Sequence, residues 1–198
     1  MNHSTITRVL HGGLAVLVLN QLLLSLAMDD DGHGVGGLLY ELHEYMGLVT
    51  AGTLVLFWLW ALARRGETPL GMLVPWFSPS RVRAVIADLG RQTGALARFR
   101  LPGPDGPSPL ASAVHGLGLL ALTGAGATGA VYFGLGGADA GGWMGETSEE
   151  LHEAFGTLMW LYLAGHAGLA VLHMLSGRDI VRRMFRSPSD DEASGYTR

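Results

Sequence analysis

Four stretches of this chain are apolar over lengths that a globular core rarely uses. They run from about Val9 to Met28, Tyr40 to Ala63, Leu110 to Phe133 and Leu151 to Leu175. A helix needs roughly 20 mostly apolar residues to cross the hydrocarbon of a bilayer, and each stretch supplies them. Ionisable groups are nearly absent from the blocks, apart from their ends and several histidines. No alternation of apolar and polar residues marks barrel strands. Lipid offers the backbone no hydrogen bonds, so helix is the structure left. The sequence therefore predicts an all-α fold, an integral membrane four-helix bundle.

Composition narrows the chemistry. Charged residues make up 15% of the 198, against about 25% in an ordinary soluble domain. That argues against a nucleic-acid binder and against a disordered chain. There is no Cys, which removes disulfide frameworks, Cys-ligated zinc or iron–sulfur centres and covalently attached c-type haem.

Arginine sets the predicted orientation, because all 13 basic residues are Arg. Arg8 precedes the first block. Arg64, Arg65, Arg81, Arg83, Arg91, Arg98 and Arg100 lie between the second and third, and Arg178, Arg182, Arg183, Arg186 and Arg198 follow the fourth. The other two connections have none. The positive-inside rule then puts both termini in the cytoplasm, in a cell inner membrane. The outer connections and adjoining helix ends carry Asp29, Asp30, Asp31, Glu41, Glu44, Asp139, Glu146, Glu149, Glu150 and Glu153. A cleaved signal peptide, with Arg8 as its charged region and Ser25, Leu26 and Ala27 as its cleavage site, is a competing reading of the first block. It leaves an odd number of spans and disturbs this charge pattern.

The inner loop, residues 64–109, is too long for a simple connector. Pro69, Pro75 and Pro79 break its start. Ser80 is then expected to cap a helix with Val82, Val85, Ile86, Leu89 and Leu96 near one face and Arg81, Arg83, Arg91 and Arg98 mostly elsewhere. That pattern suits an amphipathic helix lying at the inner lipid surface. Pro102, Pro104, Pro107 and Pro109 lead into the third span. The membrane unit is expected over 1–186, followed by a polar tail at 187–198.

Six of the eight histidines fall in or at the spans: His11, His43, His115, His152, His166 and His173. Polar rings in lipid are costly, so such residues face a bundle interior and mark function. At about 1.5 Å per residue, depth can be measured from the acidic boundary. His43 and His152 lie at that boundary. His11, His166 and His115 lie about 27, 24 and 28 Å deep, and His173 about 34 Å. The result is two layers, His43 and His152 outside, and His11, His115 and His166 inside. His152 and His166, 14 residues apart on one helix, point within about 40° of each other and are separated by about 21 Å. Haem b uses such an arrangement, since its iron can take two imidazoles from facing helices. Gly12, Gly13, Gly47, Gly116, Gly118 and Gly156 are expected to leave room for porphyrin. The inner ligands are His11 with either His115 or His166. A His-bound Zn²⁺ or Cu²⁺ path fits less well, because no carboxylate sits at mid-depth.

These residues carry a family resemblance. Leu42, His43, Glu44, Tyr45, Met46 and Gly47, then Leu151, His152 and Glu153, then His166 and Ala167, and Arg182, Arg183 and Met184 resemble the bacterial cytochrome b561 and hydrogenase-type cytochrome b family. The likeness runs from about Arg8 to Met184. It implies two haems b, one held by His43 and His152 and the other by His11 and His166. His115 then lines the inner haem pocket or a quinone site. By position alone, Arg8, Arg178 and Arg182 near the inner haem are candidates to pair with its propionates. The family's first-helix His is usually followed by Trp, whereas Gly12 stands here. The resemblance implies electron transfer between a periplasmic partner (a c-type cytochrome, a dehydrogenase or a hydrogenase) and membrane quinone, as a subunit more than as a stand-alone enzyme. The alternatives are a superoxide:quinone oxidoreductase or the membrane anchor of a respiratory complex. The acidic outer face disfavours the anion superoxide and favours a basic donor.

Overall fold

The computed structural model describes residues 4–28, 34–65, 67, 69–98, 108–136 and 141–175. The expected tail at 187–198, the acidic residues 29–31 and 139, and the arginines at 178, 182 and 183 lie outside the described residues, as does the side chain of His173. All regular structure among the described residues is helical: α1 (Thr5–Leu24), α2 (Gly34–Ala63), α3 (Leu70–Leu73), a 3₁₀ turn (Pro75–Phe77), α4 (Pro79–Leu96), α5 (Pro109–Gly134) and α6 (Trp143–Leu175). Helices α1, α2 and α5 are each long and apolar enough to cross a membrane. The fourth apolar block forms the greater part of α6. α1 packs along α2, α2 meets α5, and α5 runs beside α6, while α3 and α4 also rest on α5.

The helix ends depart from the apolar blocks for local reasons. Ser4 caps α1, its Oγ accepting from the Thr7 N–H at 3.2 Å. That helix stops at Leu24, and a turn over 25–27 closes on the carbonyls of Leu23 and Leu24. α2 starts at Gly34, whose φ of +66° suits glycine, so the helix begins several residues before the apolar block. α6 likewise begins beyond Gly142, at φ +86°, and carries Glu146 in its first turn, where a carboxylate favours the helix dipole. Ser108 caps α5, accepting from Ala111 N–H at 3.0 Å, with Pro109 at the first helical position.

Two polar clamps tie the ends together. Where α1 begins and α2 ends, buried Thr7 donates to Glu67 Oε2 at 2.8 Å and accepts from Trp60 Nε1 at 2.8 Å. Glu67 also takes the Ser4 N–H at 3.3 Å and pairs with Arg64 at 3.5 Å. The second clamp corrects the reading of the inner loop. Pro79, not Ser80, opens α4, and Ser78 holds the cap position. The helix does present Ile86 and Leu89 as exposed apolar residues, but it is not attached by lipid-facing residues alone. Asp88 is buried against the start of α5, where its carboxylate accepts from Ser108 Oγ at 2.6 Å and Leu110 N–H at 3.1 Å. Arg91 pairs with it at 3.0 Å. A carboxylate at a helix N-terminus meets both free N–H groups and the positive end of the dipole.

Burial opposes ionisation of Asp88. Burial is the largest single influence, yet the hydrogen bonds from Ser108, Leu110 and Gln92 together with the charge of Arg91 outweigh it and hold the carboxyl below its ordinary range. A lowered folded value means that this docking is fully present above the unfolded value of about 3.9 and fades as pH falls through the lower folded value. Asp88→Ala is expected to cost about 1–3 kcal/mol and to raise amide hydrogen exchange across α4 at neutral pH. The wild type should show the same loosening only below about pH 4. Unchanged exchange in the variant would mean that α4 is held by something else.

Candidate histidine-pair site

Two helices bring the first pair together. His43, two turns into α2, and His152, in the third turn of α6, place their ring centroids 6.0 Å apart with an interplanar angle of 85°. The pair lines a cavity of about 550 Å³, whose walls include Gly47, Gly156, Ala125, Gly126 and Gly129. Glu44, Glu149 and Glu153 also line it.

The orientation of His152 has a specific cause. Its Nδ1 lies 2.9 Å from the Ala125 carbonyl on α5, with Thr128 Oγ1 at 3.5 Å. A carbonyl only accepts, so Nδ1 carries the hydrogen and Nε2 keeps its lone pair. That is the tautomer a metal-binding histidine adopts when its other nitrogen is anchored to backbone. The carbonyl is reachable because the residue one turn on is Gly129. A Cβ there would stand 2.8 Å from the His152 ring.

The second pair lies at the opposite end of the bundle. His11 on α1 and His166 on α6 have centroids 6.4 Å apart at 62°. His166 sits between two further rings: Tyr162 stacks on it at 5.2 Å and 10°, and His115 meets it edge-on at 4.8 Å. His115 is exposed, and its Nδ1 is 2.6 Å from the Ala111 carbonyl on its own helix. α6 is unbroken between His152 and His166, so the two pairs are separated along it by about 21 Å.

Both spacings suit a shared metal. Two imidazoles on one ion, at about 2 Å per metal–nitrogen bond with each ring centre about 1 Å further, hold their centroids about 6 Å apart. A flat macrocycle between the rings also needs space, and the cavity beside His43 and His152 has the size of a cofactor site. The residues present therefore fit a bis-histidine group at the His43–His152 end, and the ring spacing of His11 and His166 is of the same size.

The glycines divide into two kinds. Gly13 and Gly156 have nothing within 4 Å of where a Cβ would stand, so they leave open space. Gly116 and Gly118 do not serve that purpose. Gly116 lies against the backbone of Leu73, and Gly118 against the Tyr162 ring. Gly124 takes Phe155 in the same manner. Arg8, one turn before His11, is half-buried.

Three contributors escaped the sequence reading. Tyr162 and Thr128 belong to blocks read only for hydropathy. Gln21 is the third: with its amide turned to satisfy both ends, its NH₂ reaches His43 O at 3.1 Å and His43 Nδ1 at 3.2 Å, and its oxygen takes the Gly47 N–H at 3.3 Å. An amide deep in the first apolar block, beside Asn20, was the signal available.

A family model described as prokaryotic cytochrome b561 matches residues 2–187 of the chain. No curated protein and no solved structure matches it. Gly129→Ala is expected to destabilise the protein by about 1–3 kcal/mol through overpacking against His152. Gly156→Ala, with open space around it, should leave the thermal midpoint in detergent almost unchanged. Equal melting of the two variants would contradict the seat assigned to Gly129.

Proposed function

The chain belongs to the prokaryotic cytochrome b561 family, whose members are membrane b-type cytochromes that carry electrons, and from that premise we propose that it holds two haems b and conducts electrons across the membrane. The observation that carries this reading is the geometry of two facing imidazole pairs, 6.0 and 6.4 Å between centroids, at opposite ends of one bundle. His43 and His152 hold the outer haem, and His11 and His166 the inner one. Bound haem supplies a one-electron ferric/ferrous couple, and two imidazole ligands leave its iron no open position for oxygen. Ala125 fixes the His152 tautomer, Tyr162 braces His166 by stacking, and His115 borders the inner pocket. Arg8 pairs with an inner propionate.

In this reading α6 supplies the fourth crossing of an inner membrane, and both termini are cytoplasmic, as the arginine distribution requires. The donor or acceptor outside is a periplasmic c-type cytochrome or dehydrogenase, and the other partner is the quinone pool. Support for a basic outer partner comes from Glu41, Glu149, Glu150 and Glu153, all exposed at the end that bears His43 and His152. The same charges repel an anion such as superoxide.

A dithionite-reduced minus oxidised spectrum of the purified protein, with haem counted as pyridine hemochromogen, tests the proposal. Two haems per chain with a b-type α band are expected. His43→Ala and His166→Ala should each remove one. A protein without a haem band would overturn the reading, and a single haem in the wild type would overturn one of the two pairs.

A further inference from the structure

The two ligands of the outer site are anchored differently. His152 meets a backbone carbonyl, a fixed acceptor. His43 meets the side-chain amide of Gln21, which contains both a donor and an acceptor. The amide can be placed either way round; the placement that satisfies both of its ends in the absence of any other group turns the NH₂ to His43 O and Nδ1 and the oxygen to Gly47 N–H. In that placement Nδ1 has to be bare, and the hydrogen of a neutral His43 ring is then on Nε2.

A histidine that gives its Nε2 lone pair to a metal must carry its hydrogen on Nδ1. The NH₂ of Gln21 cannot face that hydrogen. The same amide, turned by half a revolution, presents its oxygen to it instead. The turn faces the amide oxygen toward the His43 carbonyl and the NH₂ toward Gly47 N–H, a cost that the new bond from Nδ1–H has to exceed, while Gly47 N–H and the His43 carbonyl keep each other as partners within α2.

We infer that Gln21 is a positioning residue for His43, and that its amide turns over when the outer haem binds, so that Oε1 accepts from Nδ1–H. This rests on the assignment of His43 to the outer haem. An acceptor on Nδ1–H makes the imidazole a stronger electron donor and favours the ferric state. Gln21 therefore sets the midpoint potential of that one haem. Leucine offers no acceptor and glutamate offers a stronger one, so the two substitutions act in opposite directions. A side chain that only filled space would not produce shifts of opposite sign.

The experiment is a redox titration of the haem-loaded wild type, Gln21→Leu and Gln21→Glu, followed by the α band. The outer wave is the one abolished by His43→Ala. In Gln21→Leu this wave is expected to move to higher potential, by about 59 mV for each tenfold loss of preference for the ferric state. In Gln21→Glu it should move lower, and the inner wave should stay fixed in both. Loss of the outer haem in the leucine variant, with retention in the glutamate variant, would support the same role. Should the leucine protein fail to accumulate, the glutamate variant decides alone. An unmoved outer wave, or equal shifts of both waves, overturns the role of Gln21 while the haem assignment stands. A wild type without a wave that depends on His43 overturns both.

Discussion

A neutral imidazole among apolar helices has one donor and one acceptor to place, and lipid will take neither. Much of the bundle's local chemistry follows from that requirement. His152 places its donor on the Ala125 carbonyl of a neighbouring helix, and His115 places its own on Ala111. His43 has the amide of Gln21. In each case one nitrogen is occupied by a partner close in the fold. The structural consequence is orientation: a ring anchored at Nδ1 loses rotational freedom before any other group arrives. Gly129 belongs to the same arrangement, because only a residue without a Cβ leaves the carbonyl one turn earlier open to a second helix.

Polar groups also cluster where the helices leave their apolar stretches. Thr7, Trp60, Arg64 and Glu67 join the start of α1 to the end of α2, with the Arg64 and Glu67 side chains only 6% and 8% exposed. Asp88 joins α4 to the start of α5. Between these clamps the helices meet mainly through apolar and small residues, where close approach replaces a hydrophobic driving force that lipid does not provide. The Trp58 Nε1–Thr123 Oγ1 hydrogen bond of 3.0 Å between α2 and α5 is a cross-link within that region.

The helices were legible because apolar length is a local property that the bilayer makes decisive. Their ends were not, since capping by Ser4 and Ser108 and the acidic first turn of α6 extend helix beyond what lipid requires. Depth arithmetic placed His11, His115 and His166 in one layer but could not order them. That needs the crossing of three helices, which puts His166 between Tyr162, His11 and His115. Gln21 and Asp88 were illegible for a related reason. Each gains its meaning from a partner far along the chain or on another element, and periodicity carries no trace of such a pairing. The glycines were read as space for a ligand, which describes Gly156 but not Gly118, where the space is filled by a tyrosine.

The seam between α5 and α6 has an unevenly cut profile. Going down α6, the rings of His152, Phe155 and Tyr162 occupy notches at Gly129, Gly124 and Gly118, met in reverse order on α5. The intervals between rings differ from one another, and so do those between notches. Sliding one helix to reseat a single ring therefore drives the others into side chains. A regular small-residue repeat would tolerate such slippage; this one encodes a single alignment, as a key with unequal teeth fits its lock in one position. The height of His152 and His166 in the bundle is thus written into the seam by two aromatic residues and three glycines, independently of anything the histidines themselves bind.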